Sequence, residues 1–270
     1  MTTCSEATSA LMRLPAATLM ALGSALESGT LRHGFSKQGL VPFCGEAANS
    51  VDPALRLLCT SGFTTMSAGV LCQALGRALA ERDATERSIQ LVLSGPEVAG
   101  TPVVDTKTTV LSLFEEAQQE VLITSYVFHK AAGLFSLLAQ KHDQNPNFRV
   151  TFVVDLTHSH KSPEDTATSL GQAFGANFRK HHWPGARAPE IWHDPRSFEN
   201  AEGERGILHA KTVIVDRKIA FITSANFTEA AQARNIEAGV LIRQPRVADR
   251  LHGYFAGLIA TNILRRINSA

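Results

Sequence analysis

An α/β/α sandwich, preceded by a small helical N-terminal region, is the fold class that the sequence predicts, and three observations predict it. From about residue 88 onward, strand-like and helix-like stretches alternate. Runs such as Val150-Thr151-Phe152-Val153-Val154 are apolar on both faces, as inner strands covered by helices on both sides must be. Before residue 88 the apolar positions instead follow helical spacing between glycine breaks. These observations divide the chain into a helical region over 1–87 and an α/β domain over 88–270.

The first helix covers Leu14 to Leu26, with Leu19, Leu22 and Leu26 on one face, Pro15 in the first turn and Gly29 as the stop. An amphipathic helix accounts for this run better than a cleaved signal. Asp52-Pro53 starts the next helix, Ser61-Gly62 breaks it, and Thr65 to Arg82 follows with Leu71, Leu75 and Leu79 in one stripe. That order also fits a helix-turn-helix, but residues 1–95 carry seven basic and seven acidic residues, which favours packing over DNA reading. Strands are then expected over 88–93, 121–128, 148–156, 207–215, 219–223 and 238–242. Helices are expected near 105–118, 129–142, 163–174, 227–234 and 245–260. Phe174 to Glu204 shows no clear period and reads as a long irregular excursion.

Composition excludes several classes. The 270 residues carry 26 Lys+Arg against 25 Asp+Glu, so a basic coat over the whole surface is absent and any polyanion must be gripped locally. No run approaches the length of a membrane-spanning helix. The four cysteines, Cys4, Cys44, Cys59 and Cys72, form no C-x-x-C pair and read as buried thiols in a reducing compartment, so a cytoplasmic location is expected.

The stretch that carries chemistry is Leu208-His209-Ala210-Lys211-Thr212-Val213-Ile214-Val215-Asp216, followed by Thr223-Ser224-Ala225-Asn226 and Asn235-Ile236-Glu237. On a strand His209 and Lys211 face the same way. An imidazole and an ammonium leaving an apolar strand together are costly unless they face a cleft or a partner. Asp216-Arg217-Lys218 reads as a tight turn, which puts Ser224 and Asn226 at the end of the returning strand, where open α/β sheets bind ligands. Each residue also has a structural reading: His209 as a core histidine, Lys211 as an edge lysine, Asn226 as a helix N-cap three residues before Glu229, Asp216 as a turn former and Glu237 as a solvated strand start. Taken jointly, the functional reading prevails.

The pattern His-x-Lys-x4-Asp, six residues, Thr-Ser-x-Asn and a Glu eleven residues on resembles the phospholipase D superfamily, with Thr223 where that family usually has Gly. The resemblance implies a phospholipase D type of sandwich and a two-step displacement on a phosphodiester. One imidazole attacks phosphorus while another protonates the leaving oxygen, roles that need opposite protonation states at once. The chain holds one His-x-Lys pair; His33, His129, His142, His158, His160, His181, His182, His193 and His252 lie in other contexts. Single-motif members of the family are typically homodimers, so two copies of His209 are expected to meet at a symmetry axis.

The roles implied are a phosphohistidine at His209, phosphate binding by Lys211 and Asn226, a hydrogen bond from His209 to Glu237, a supporting Ser224 and a structural Asp216. No metal or other cofactor is required. His158-x-His160, His181-His182 and His193-Asp194 contain metal-ligand types without a known spacing. Arg179, Lys180, Arg187 and Arg196 are candidates for lining a nucleic-acid groove.

Three substrate classes follow: a nuclease acting on DNA, a phospholipid hydrolase or phosphatidyl transferase, and a non-catalytic nucleic-acid-binding scaffold. The single-motif layout favours the nuclease. A helical region, one phospholipase D-like domain and Asp194-Pro195-Arg196 ahead of the motif also resemble the phospholipase D-like component of the anti-phage system DISARM. That resemblance implies a helicase and a DNA methyltransferase as partners.

Overall fold

The computed structural model describes residues 4–31, 36–96, 99–100, 104–157, 167–197, 206–228, 231 and 235–267. The chain divides into two units, Met1–Arg87 and Ser88–Ala270.

The first unit contains α1 (Cys4–Leu11), α2 (Ala16–Glu27), α3 (Lys37–Cys44), α4 (Ala48–Thr60) and α5 (Thr65–Arg87). Leu11, Leu19, Leu22, Leu40, Leu55 and Leu58 are fully buried in its core. The expected start at Asp52-Pro53 lies too late, because α4 begins at Ala48 and contains Pro53. The core face of α5 also differs from the expected leucine stripe. Ala68, Gly69, Cys72, Gly76 and Leu79 are buried, whereas Leu71 and Leu75 are only partly so. Close approach is the reason: a Cβ at Gly23 would lie 2.8 Å from the Gly69 carbonyl oxygen, and one at Gly69 would lie 2.8 Å from that of Gly23. Two helices touching through their backbones have no room for leucine at the seam.

Cys72 is buried, and burial pushes its thiol up to about 12, which keeps it from being a nucleophile. Cys4, expected to be buried, is exposed. Among the described residues, no helix is long and apolar enough to cross a membrane.

The second unit is built on an eight-stranded mixed sheet. In chain order its strands are β1 (Ile89–Ser94), β2 (Glu120–Ser125), β4 (Arg149–Val154), β5 (Glu190–His193), β6 (Thr212–Val215), β7 (Ile219–Thr223), β9 (Glu237–Ile242) and β10 (Arg265–Arg266). Their spatial order is β1-β9-β7-β6-β2-β4-β5-β10, and β3 (Phe128–His129) and β8 (Phe227–Thr228) form a separate parallel pair. The strands β2, β4 and β5 run parallel, and β6 runs antiparallel to β2.

Helices α6 (Thr106–Glu116), α7 (Ala132–Gln144) and α8 (Ala167–His181) cover one face, with Phe114, Phe135 and Phe178 fully buried against Ile123, Phe152 and Val213. Helix α9 (Pro245–Ala260) covers the other through Ala248 and Phe255 on Leu122, Val153 and Ile214. The sandwich is therefore α/β/α, as expected. The supposed irregular excursion over 174–204 holds the second half of α8 and the whole of β5. The strand went unseen because it has only four residues, of which Glu190 and His193 are polar.

Strand β6 begins at Thr212 and not at 207. The Thr124 hydroxyl donates to the Ala210 carbonyl (3.0 Å) and accepts from the Thr212 amide (3.0 Å), so a side chain takes the place of the ladder where β6 would otherwise continue toward its N-terminus. At the other end, Asp216 sits in a tight turn with φ of 50°. Its carboxylate accepts from the amides of Gln118 (2.8 Å), Gln119 (2.8 Å) and Glu120 (2.9 Å), tying the β6–β7 turn to the start of β2. Asp216→Ala is expected to destabilise the fold by about 2 kcal/mol, because a hydrogen bond to a charged group contributes roughly 1.5–3 kcal/mol. Urea unfolding followed by circular dichroism measures this.

Candidate active site

The sheet has two ends, and the motif residues gather at one of them. Residues 206–211 lead into β6 beside the C-terminal end of β2. His209 is exposed, whereas Lys211, two residues on, is only 6% exposed. The Lys211 Nζ lies 3.2 Å from His209 Nδ1 and donates to the His209 carbonyl at 2.9 Å. The expected common orientation of the two side chains is therefore present, but on an irregular lead-in and not on a ladder.

Burial depresses the Lys211 ammonium below the ordinary lysine range, and the negative charge of Glu237 acts in the opposite sense. A site that holds a half-desolvated cation beside an exposed imidazole is prepared for an anion.

Ser224 follows the end of β7 and Glu237 opens β9. The Ser224 hydroxyl donates to Glu237 Oε2 and accepts from the Ala238 amide at 3.1 Å, and Asn235 donates to Glu237 Oε1 at 3.3 Å. Within the chain, Glu237 is thus held by Ser224 and Asn235, and no hydrogen bond joins it to His209. Asn226 does not open a helix at 227, because Phe227–Thr228 is strand β8. The Thr228 hydroxyl instead accepts from the Ala231 amide at 3.1 Å. Glu229, the supposed capping partner, and most of the expected helix over 227–234 lie outside the described residues. Asp216 lies at the far end of β6, with the structural role described above.

Two residues of this end escaped the sequence reading. The Tyr126 ring lies 5.0 Å from the His209 imidazole, tilted by 54°, and 5.8 Å from Lys211 Nζ. Asp155, 4% exposed, accepts from the Leu208 amide at 3.2 Å and so pins the residue before the imidazole. Both follow the C-terminal ends of inner parallel strands, and an acid directly after the apolar run Val150–Val154 was the available signal.

The basic candidates separate. Arg179, Lys180 and Arg187 lie at the opposite end of the sheet, about six residues of strand or some 20 Å from His209. There the Arg187 guanidinium donates to the carbonyls of Asn145, Pro146 and Phe148, and its amide donates to Asp143. A fork occupied by main-chain carbonyls is a loop clasp and not a phosphate clamp. Arg196 remains at the motif end, in a two-pronged pair with Asp194 (2.9 and 2.6 Å). Among the described residues, no three metal-ligand side chains cluster. His33, His158 and His160 lie outside the described residues.

A mixed sheet with a His-x-Lys pair, a serine and a glutamate at one end defines a phospholipase D-like domain. Residues 110–259, more than half of the chain, match the family described as "Cardiolipin synthase, PLD-like domain", and the chain belongs to that family. Comparison with curated proteins gave no match. Among solved structures, the chain is similar to the phospholipase D family member Nuc from Salmonella typhimurium (20% identity, TM-score 0.44, covering 67% of this chain and 99% of that one). It is also similar to NucT from Helicobacter pylori (18%, 0.43, 64% and 96%). A third similarity is to phosphatidylserine synthase from Haemophilus influenzae Rd KW20 (16%, 0.41, 75% and 50%).

A lysine whose folded pKa is lowered destabilises the fold; the penalty is full at pH values below the folded pKa and fades as pH rises through it toward the ordinary lysine value. Lys211→Met is therefore expected to abolish turnover of phosphodiesters while raising the thermal midpoint at neutral pH. The gain should shrink in alkaline buffer, which calorimetry at two pH values measures.

Proposed function

We propose that this protein is a metal-independent phosphodiesterase that cleaves DNA through a phosphohistidine at His209, with the site completed by His209 of a second copy. The observation that carries the reading is the exposed imidazole beside the buried Lys211 ammonium. In the first step an imidazole nitrogen attacks phosphorus and the P–O bond to the leaving group breaks. The second imidazole, protonated, supplies the leaving oxygen with its proton. In the second step that imidazole takes a proton from water, the water oxygen attacks phosphorus, and the P–N bond breaks to restore His209. Lys211 and Asn226 of both copies would neutralise the charge on the non-bridging oxygens as the five-coordinate state forms.

One chain supplies one His-x-Lys pair, which supports the homodimer. Ile222 and Ile236, 41% and 82% exposed, offer apolar surface beside Ser224 and Glu237 for a second copy to cover. The helical first unit and the segment Asp194-Pro195-Arg196 support a place in DISARM-type anti-phage defence, with a helicase and a DNA methyltransferase as partners. A second reading, phosphatidyl transfer or hydrolysis on a phospholipid, is favoured by the description of the matched family as cardiolipin synthase.

The test is incubation of the purified protein with plasmid DNA, single-stranded DNA and phospholipid vesicles, each with a chelator present, alongside His209→Ala. The expected result is nicking that persists in chelator, falls at least a thousandfold in His209→Ala, and, on acid-free quenching during turnover, traps the cleaved strand joined to histidine through its terminal phosphate. Cleavage that requires added metal overturns the phosphohistidine, and turnover of vesicles alone selects the lipid reading. Sedimentation should give a dimer; a fully active monomer overturns the shared site.

A further inference from the structure

Tyr126 follows β2 directly, on a stretch that is held from both sides. Before it, β2 is paired to β4 and β6. After it, the Ser125 hydroxyl donates to the Val127 carbonyl at 2.9 Å, which closes the chain around Tyr126. Phe128 then pairs with Phe227, stacks on its ring at 6.0 Å and meets Phe178 edge-on at 5.4 Å, so the following residues are anchored among core aromatics. Tyr126 is a half-buried ring on a fixed support.

His209 is supported differently. It is exposed on the irregular lead-in to β6, and the Asp155 contact to the Leu208 amide fixes its main chain but not its ring. Rotation of an imidazole about its last side-chain bond is broad, so packing must set the ring plane. The Tyr126 ring approaches it at 5.0 Å with a tilt of 54°, inside the range of favourable aromatic pairs. The Lys211 Nζ lies 3.2 Å from Nδ1 and 3.4 Å from Nε2. A donor in the ring plane approaches one nitrogen and stays well away from the other, so near-equal distances put the ammonium over the imidazole face. There it blocks the in-plane direction of neither nitrogen. The same ammonium is 5.8 Å from the centre of the Tyr126 ring, where the negative ring face attracts a cation.

We infer that Tyr126 is a positioning residue for the reaction at His209: its ring sets the plane of the imidazole and keeps the Lys211 ammonium over it, so that a ring nitrogen stays aimed at the incoming phosphorus. The inference rests on the phosphohistidine reading and holds for either class of diester. A nucleophile held in line with phosphorus reacts far faster than one free to turn, and small misplacements cost about a hundredfold. The ring of Tyr126 carries both contacts, so its aromatic face and not its hydroxyl is the part assigned to this role.

The test compares the full chain with Tyr126→Leu and Tyr126→Phe in turnover of bis(4-nitrophenyl) phosphate, which reports the chemical steps whichever diester is natural, and of a DNA oligonucleotide. Tyr126→Leu is expected to lower kcat on the small diester by about a hundredfold and to leave KM within about twofold. Tyr126→Phe, which keeps the ring, should recover most of that loss. Nuclear magnetic resonance adds a readout that a merely structural role would not move: the proton signals of the His209 ring, displaced by the facing aromatic ring, should return toward ordinary histidine positions in Tyr126→Leu and stay displaced in Tyr126→Phe. Thermal midpoints check folding, and Tyr126→Met replaces Tyr126→Leu if the latter does not fold. Unchanged kcat in Tyr126→Leu overturns the inference, as does Tyr126→Phe as slow as Tyr126→Leu. A raised KM for the oligonucleotide with kcat intact also overturns it and makes Tyr126 a substrate contact. Diester turnover that survives in His209→Ala overturns the phosphohistidine reading and the inference with it.

Discussion

A buried ammonium at the mouth of a central strand is the constraint from which the rest of the second unit follows. Lys211 is 6% exposed, and within the chain its Nζ meets the His209 carbonyl and ring, with the Glu237 charge also acting on it. A cation in that position is costly unless something fixes it and something anionic is due to arrive. The fixing is visible on both sides of β6. The Thr124 hydroxyl bridges Ala210 and Thr212, the Thr223 amide donates to the Lys211 carbonyl at 3.0 Å, and Asp216 clasps three amides at the far end. With the strand held at each end and paired to β2 and β7 between, the lead-in bearing His209 has little freedom. Asp155, reaching the Leu208 amide, removes more of it.

The division of labour around His209 is the second feature. Its ring is approached by Tyr126 and Lys211. Glu237, whose carboxylate is the natural partner for an imidazole that must keep one tautomer, is occupied within the chain by Ser224 and Asn235. A single chain therefore presents an exposed imidazole beside an ammonium, and a carboxylate on β9, with β7 between that strand and β6, without joining them by a hydrogen bond.

What was legible in the sequence is what depends on local pattern. The bounds of β7 and α9 match the expected 219–223 and 245–260 because an apolar run between turn residues, and a proline at a helix start, are local signals. The polar motif positions were legible because several residue types must coincide at fixed spacing. Three things were not. The truncation of β6 depends on a threonine 88 residues away in sequence. The commitment of Arg187 to the carbonyls of 145, 146 and 148 depends on how α7 ends beside α8. The small-residue seam of α5 depends on how closely α2 approaches, which a stripe of leucines conceals.

The two ends of the sheet also differ in how their charges are used. At the end away from His209, Glu120 pairs with Arg149 (2.7 Å) and Arg217 (2.6 Å), Glu116 pairs with Arg243 (2.6 Å), Asp216 holds main-chain amides, and Lys141 donates to the Ala117 carbonyl at 2.8 Å. Single exposed pairs of this kind contribute roughly 0–1 kcal/mol each, but together they join the starts of β2 and β4 to the turn after β6 and the end of β9. At the other end the polar groups include Ser125, Asp155, His193, His209, Lys211, Ser224 and Glu237, carried by strands that run in both directions, together with the Arg196–Asp194 pair. A partner placed directly on Lys211 would compete with an incoming anion. Placing the pairs of Glu120 and Glu116 at the opposite end stabilises the same strands without that conflict, so the fold can keep a desolvated lysine and an exposed imidazole together.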